Sequence, residues 1–153
     1  MTGHSVKHST FTLERTYTAS PAAVFAAWSD RDTKAKWFAA GDGRYSLDFR
    51  VGGTEVVHGG DGDGGGDEGG LVARSEYHDI VPDERIVYTT ALFTDEVLST
   101  VSLTTVRFAR DGDGTRLLLT EQGTFLDGRE QPEWRERGTG DWLDALGREV
   151  APR

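Results

Sequence analysis

The chain alternates in period two over much of its length and switches to helical spacing in three places. Phe11, Leu13, Arg15 and Tyr17 fall on one side of an extended segment, with Thr12, Glu14 and Thr16 on the other, which predicts a strand over Phe11 to Tyr17. Ser20 then suits a helix N-cap and Pro21 a first helical position. Val24, Phe25 and Trp28 follow at helical spacing, so a short helix with one apolar face starts there. Asp30 to Phe38 reads as a second short helix, carrying Trp37 and Phe38, and Gly41-Asp42-Gly43 ends it.

From Arg44 the period returns to two. Tyr45, Leu47, Phe49 and Val51 alternate with polar residues, Gly52-Gly53 makes a tight turn, and Thr54 to His58 is the partner strand. Leu71 to Val81, Ile86 to Phe93, Val97 to Phe108 and Thr115 to Phe125 are further strands, with turns at Pro82-Asp83-Glu84 and Asp111 to Gly114. Between Val97 and Phe108 the apolar parity changes from odd (Val101, Leu103) to even (Val106, Phe108), which predicts a bulge near Thr104. The last segment, from Pro132, is helical: Trp134, Gly138, Trp142, Leu146 and Val150 form a row at spacing four, with Leu143 beside it. Glu133/Arg137 and Asp144/Arg148 are acid-first pairs. Gly138 and Gly140 imply a bend, or a sheet too close for a side chain. Strands followed by a terminal helix indicate an α+β domain of about six or seven antiparallel strands curled around one long helix, with two short helices plugging an end. One domain over residues 1–153 is expected, with Gly59 to Gly70 as a flexible hairpin loop, because nearly all of it is Gly and Asp.

Four stretches carry a resemblance. They are Ser20-Pro21-Ala22-Ala23-Val24-Phe25 with Trp28 and Trp37; Val51-Gly52-Gly53; the run Glu76 to Thr89, with Ile80-Val81-Pro82-Asp83-Glu84-Arg85 at its centre; and Gly112 to Leu117 continuing to Thr120. The tail Gly140-Asp141-Trp142-Leu143-Asp144-Ala145-Leu146 adds to them. In these residues the chain resembles the START-like (SRPBCC, helix-grip) superfamily and, within it, the family of homologues of the activator of heat shock protein 90 ATPase. The resemblance implies the helix-grip fold. Its motifs are turns and core, so they mark a scaffold rather than a chemistry. Relatives of this kind include carriers of hydrophobic ligands, polyketide cyclases and aromatases, and the chaperone activator.

Net charge and residue usage narrow the partners. The chain of 153 residues carries a formal charge of −9, which repels nucleic acid and anionic membrane surfaces. It has no cysteine and no asparagine, which removes disulfides, thiolate catalysis, cysteine zinc sites and N-glycosylation sequons. No apolar run spans a bilayer, and Met1 to His8 has no signal-like apolar stretch, so a cytoplasmic protein is expected. No cofactor motif is present. His4, His8, His58 and His78 lack ligand spacing. Gly59 to Asp63 begins like a calcium β-roll repeat, yet a single copy cannot stack, so no metal is assigned.

The candidate site is a pocket between sheet and C-terminal helix lined by Trp37, Phe38, Tyr88, Trp134 and Trp142, with Glu121 as its charged group. Glu121 shares parity with Leu117 and Leu119; pointing inward into apolar surroundings, it would be an acid or base with a raised pKa, whereas turned to solvent beside Gln122 and Gly123 it would be an ordinary strand-end charge, and both readings stand. His78 is a second acid/base candidate, with a solvent-facing position preferred, and Arg107 is a cross-hairpin partner for Glu121 or an exposed charge. Three functions compete: binding an apolar small molecule of lipid-like or aromatic, polyketide-like kind; a cyclase-like enzyme using Glu121 or His78; and an interaction domain regulating a chaperone ATPase. A second copy of the chain remains a candidate partner. No complete catalytic set is present, which favours binding, and the acidic surface gives no support to a chaperone partner.

Overall fold

The computed structural model describes residues 4–39, 44–59 and 70–152. The order is β1 (Val6–Tyr17), α1 (Pro21–Ser29), α2 (Arg31–Phe38), β2 (Tyr45–Leu47), β3 (Thr54–His58), β4 (Leu71–Val81), β5 (Arg85–Thr94), β6 (Val97–Asp111), β7 (Gly114–Leu126) and α3 (Pro132–Val150). Seven strands form one antiparallel sheet in the order β1-β7-β6-β5-β4-β3-β2. The first strand thus closes the edge beside the last, and the α+β helix-grip architecture expected from the sequence is the one found. The hairpin tip predicted at Gly59 to Gly70 falls at residues 60–69 outside the described residues.

Local chemistry explains the short helices. Ser20 Oγ accepts from the Ala23 amide at the start of α1, and Pro21 fills the first position. Asp30 ends α1 and caps α2, accepting from the Thr33 amide at 3.0 Å and its hydroxyl at 2.7 Å. Gly52 turns the chain with φ 85°, a left-handed value that glycine adopts without strain.

The long helix α3 runs unbroken through both glycines. A Cβ on Gly140 would come within 3.1 Å of the Arg15 guanidinium, so a close approach explains that glycine; around Gly138 there is open space. Tyr17 donates to the Leu143 carbonyl at 2.8 Å, and Arg15 pairs with Asp144 at 2.7 Å, which fasten α3 to β1. Asp144 therefore serves β1, not Arg148. The buried face of α3 is Thr139, Gly140, Leu143 and Leu146. Trp134 lies off it, 57% exposed. A spacing of four overshoots the 3.6-residue turn by about 40° per step, so a row aligned at Leu146 has rotated away by Trp134.

The expected bulge near Thr104 is absent. β6 keeps register there with both neighbours, and its irregularity lies at Ser99, opposite the Leu92/Phe93 step. Even positions thus face inward throughout: Ser102 and Thr104 continue the line of Val106 and Phe108, while Val101 and Leu103 face outward, 42% and 38% exposed. The apolar residues at 101 and 103 suggested the wrong face because outward strand positions accept valine and leucine without penalty.

Candidate functional site

The inner face of the sheet is organised in rows that cross the strands. One row is Ile80, Ile86, Val106, Leu119 and Leu13. The next is Tyr77, Tyr88, Thr104, Glu121 and Phe11; the third is Glu55, Ser75, Thr90, Ser102 and Gly123. The first is hydrocarbon. The third consists of small or polar side chains, and the second is mixed. Both polar rows face the same interior as the first.

Two charged clusters sit in these rows. On β7, Glu121 receives the Arg135 Nε at 2.6 Å and the Thr104 hydroxyl at 3.3 Å. Arg135, from the first turn of α3, also donates to Glu130 at 3.1 Å and to Ser102 at 2.8 Å, and Thr100 donates to Glu130 at 2.6 Å. Glu121 is buried, as its parity allowed, yet its surroundings are an ion pair and hydroxyls, not the apolar pocket expected of it. Arg107 is exposed and stands opposite Leu118, so it does not reach Glu121.

The second cluster centres on Lys34 and Glu55, whose side chains are 1% and 2% exposed. Their Nζ and Oε2 lie 2.7 Å apart, and Tyr45 and Tyr77 both donate to the Glu55 carboxylate. The Lys34 ammonium also lies 4.8 Å from the Trp28 ring centroid and 4.4 Å from that of Phe38. Burial pushes this ammonium down from its ordinary range, and Glu55 pulls it back up. Burial, with Glu55 adding to it, also drives the Tyr45 and Tyr77 hydroxyls far up, so both stay protonated donors.

Trp37, Phe38 and Trp142 meet in this second region. Their rings pack edge-on or tilted at 5.0–5.9 Å, with Trp28 against Trp37 at 5.0 Å. Tyr88 lies between the two charged clusters and feels both Glu121 and Glu55. Its hydroxyl is in hydrogen-bonding reach of Thr104, whose own hydroxyl donates to Glu121. Five of the six candidate residues therefore occupy the covered interior, and Trp134 stands outside it. His78 is exposed on the opposite face at a β4 bulge, its Nε2 2.8 Å from the Thr89 hydroxyl, so the two acid/base candidates do not share a site. Among the described residues, no group of His, Asp and Glu is arranged to hold a metal ion.

A helix-grip sheet of this topology, with a C-terminal helix tied to β1, is what the comparisons with known proteins match. Residues 18–151 fit the family described as Activator of Hsp90 ATPase homolog 1-like protein. The chain belongs to that family. Among solved structures of similar fold, the Mll3558 protein from Rhizobium loti is 45% identical, with a TM-score of 0.87, covering 95% of this chain and 99% of that one. An uncharacterized protein from Rhizobium leguminosarum is 38% identical at a TM-score of 0.90, covering 97% and 98%. CalU16 from Micromonospora echinospora shares the fold at 21% identity and a TM-score of 0.63, over 98% and 86%. No protein of curated function matches the chain. Among the described residues, no helix is long and apolar enough to cross a membrane.

Family motifs point to turns and core, and accordingly they missed Lys34, Glu55 and Arg135. Lys34 had a readable signal: it stands three and four residues before Trp37 and Phe38, so it shares their helix face. Arg135 had none, because its row on α3 was aligned on Trp134.

Proposed function

We propose that this family member binds an apolar small molecule in the space between α3 and the inner face of β4 to β7, with the polar rows as the floor of the chamber. The observation that carries this reading is a difference in sealing within one face. Ile86, Val106, Leu117 and Leu119 are 0% exposed, as a packed core should be. One or two rows away, Ser75 keeps 6%, Tyr88 6%, Thr90 8% and Glu121 5%, with Thr104 and Ser102 closed between them; the hydrocarbon row itself opens only at its half-buried ends, Leu13 and Ile80. Small hydroxyl-bearing side chains under a helix fill less space than the leucines and aromatics beside them, which supports a chamber at these rows. Ligand chambers combine apolar walls with a few fixed polar groups. Here the walls are Trp37, Phe38 and Trp142, and the fixed groups are Tyr88, Thr104, Ser102 and Glu121.

The aromatic walls supply a direct readout. An apolar fluorescent probe should bind saturably and alter tryptophan emission. Thr90→Leu should fill the third row and weaken that binding by about tenfold or more, with thermal unfolding little changed. Equal binding by the two proteins would remove the polar rows from the site.

A further inference from the structure

We propose that the chamber, on the reading just given, selects uncharged apolar molecules bearing a hydroxyl head, such as a phenol or alcohol, and discriminates against carboxylates. The ground is the pairing state of its charges. Among the described residues, Lys34 and Arg135 are the two cations of the covered interior, and Glu55, Glu121 and Glu130 are its three carboxylates. Lys34 is neutralised by Glu55. Arg135 is shared between Glu121 and Glu130, and a further N–H goes to Ser102. Arg15, at the β1 side, is held by Asp144 and by the Glu14 and Gly140 carbonyls. An incoming carboxylate therefore meets an excess of its own sign, in a place where desolvation strengthens repulsion.

A hydroxyl head meets the opposite situation. Among the described residues, Glu121 accepts one hydrogen bond at each oxygen, from Arg135 and from Thr104, so each oxygen retains a lone pair for a donor. Tyr88, 6% exposed and in reach of Thr104, has a hydroxyl that both donates and accepts, and so can supply the second hydrogen bond. The tyrosine also reports the local sign: after burial, the largest influences raising its pKa are Glu121 and Glu55, and Arg135 opposes them less. A phenol placed against Tyr88 and Glu121 stays protonated for the same reason.

The test compares three molecules with one ring system: 2-naphthol, 2-methylnaphthalene and 2-naphthoate, titrated into the full chain near neutral pH and followed by calorimetry and tryptophan emission. The expected order is naphthol tightest, methylnaphthalene weaker, and naphthoate weaker than naphthol by about tenfold or more. Glu130→Gln removes one carboxylate from the partly open side of the cluster and should narrow the naphthol–naphthoate gap; Glu121→Gln does the same if its circular dichroism matches the parent. Naphthoate binding as tightly as naphthol overturns the inference and leaves small-molecule binding standing. A gap unchanged in Glu130→Gln also overturns it, because the excess charge would not be its cause. Saturable binding by none of the three overturns both readings.

Discussion

One sheet face does two different things within a few ångströms. The row through Ile86, Val106 and Leu119 is sealed hydrocarbon, packed with α1, α2 and the C-terminal half of α3. The rows through Tyr88, Thr104 and Glu121, and through Thr90 and Ser102, are polar and tied to Arg135 through Glu121 and Ser102. From β5 to β7 both regions are built from the same strands in unbroken register, while on β4 the bulge between Tyr77 and Asp79 separates them. The difference teaches that stability and recognition can be separated along a strand by a step of two residues, because that step keeps the face and changes only the row.

Substitutions in the two regions should break this comparison in different ways. The largest loss is expected where charge is most deeply buried. Lys34→Ala strands the Glu55 carboxylate among aromatics and should cost about 3–5 kcal/mol in urea unfolding, whereas the joint change Lys34→Met with Glu55→Leu should recover most of it. An equal loss in both would mean that packing, not charge, holds the site. In the sealed row, Leu119→Ala should cost about 2–5 kcal/mol, as cavity-forming changes do, while Ser102→Ala across the polar rows should cost about 1 kcal/mol by leaving one Arg135 donor unmatched. Similar losses at the two positions would erase the distinction between rows.

Alkali should act on the polar region. Burial raises the pKa values of Tyr17, Tyr45, Tyr77 and Tyr88 above the ordinary 10.0. The unfolded chain releases those protons first, so above pH 10.0 the folded state binds more protons and stability falls as pH rises. Lys34, shifted downward by burial, works in the other sense, one group against four. Urea midpoints should therefore decline between about pH 9.5 and pH 11.5, and a rising midpoint would show Lys34 dominating. The smallest effect belongs to Trp134→Ala, expected within about 0.5 kcal/mol because the ring is 57% exposed.

Much of this was legible in the sequence, for physical reasons. Alternation and turn residues located every long strand, and Ser20-Pro21 located α1, because these signals act locally. The parity of Leu117 and Leu119 made an inward Glu121 one of two open readings, and the structure buries it. What failed to show was whatever depends on partners distant in the chain. Thr104 looked like a bulge because Val101 and Leu103 are apolar, yet the strand is inward-polar there to serve Glu121 and Arg135. The burial of Lys34 depends on Glu55, which β3 brings over to supply its counter-ion. The third row exists only once five strands, β3 to β7, stand side by side.

The most direct measurement is an amide and methyl NMR titration of the full chain with 2-naphthol. Saturable shifts should cluster at Ser75, Tyr88, Thr90, Ser102, Thr104 and Glu121, fading across Ile86, Val106 and Leu119. Shifts confined to the neighbourhood of Trp134 or to the outward Val101–Leu103 face, or none that saturate, would contradict a chamber over the polar rows.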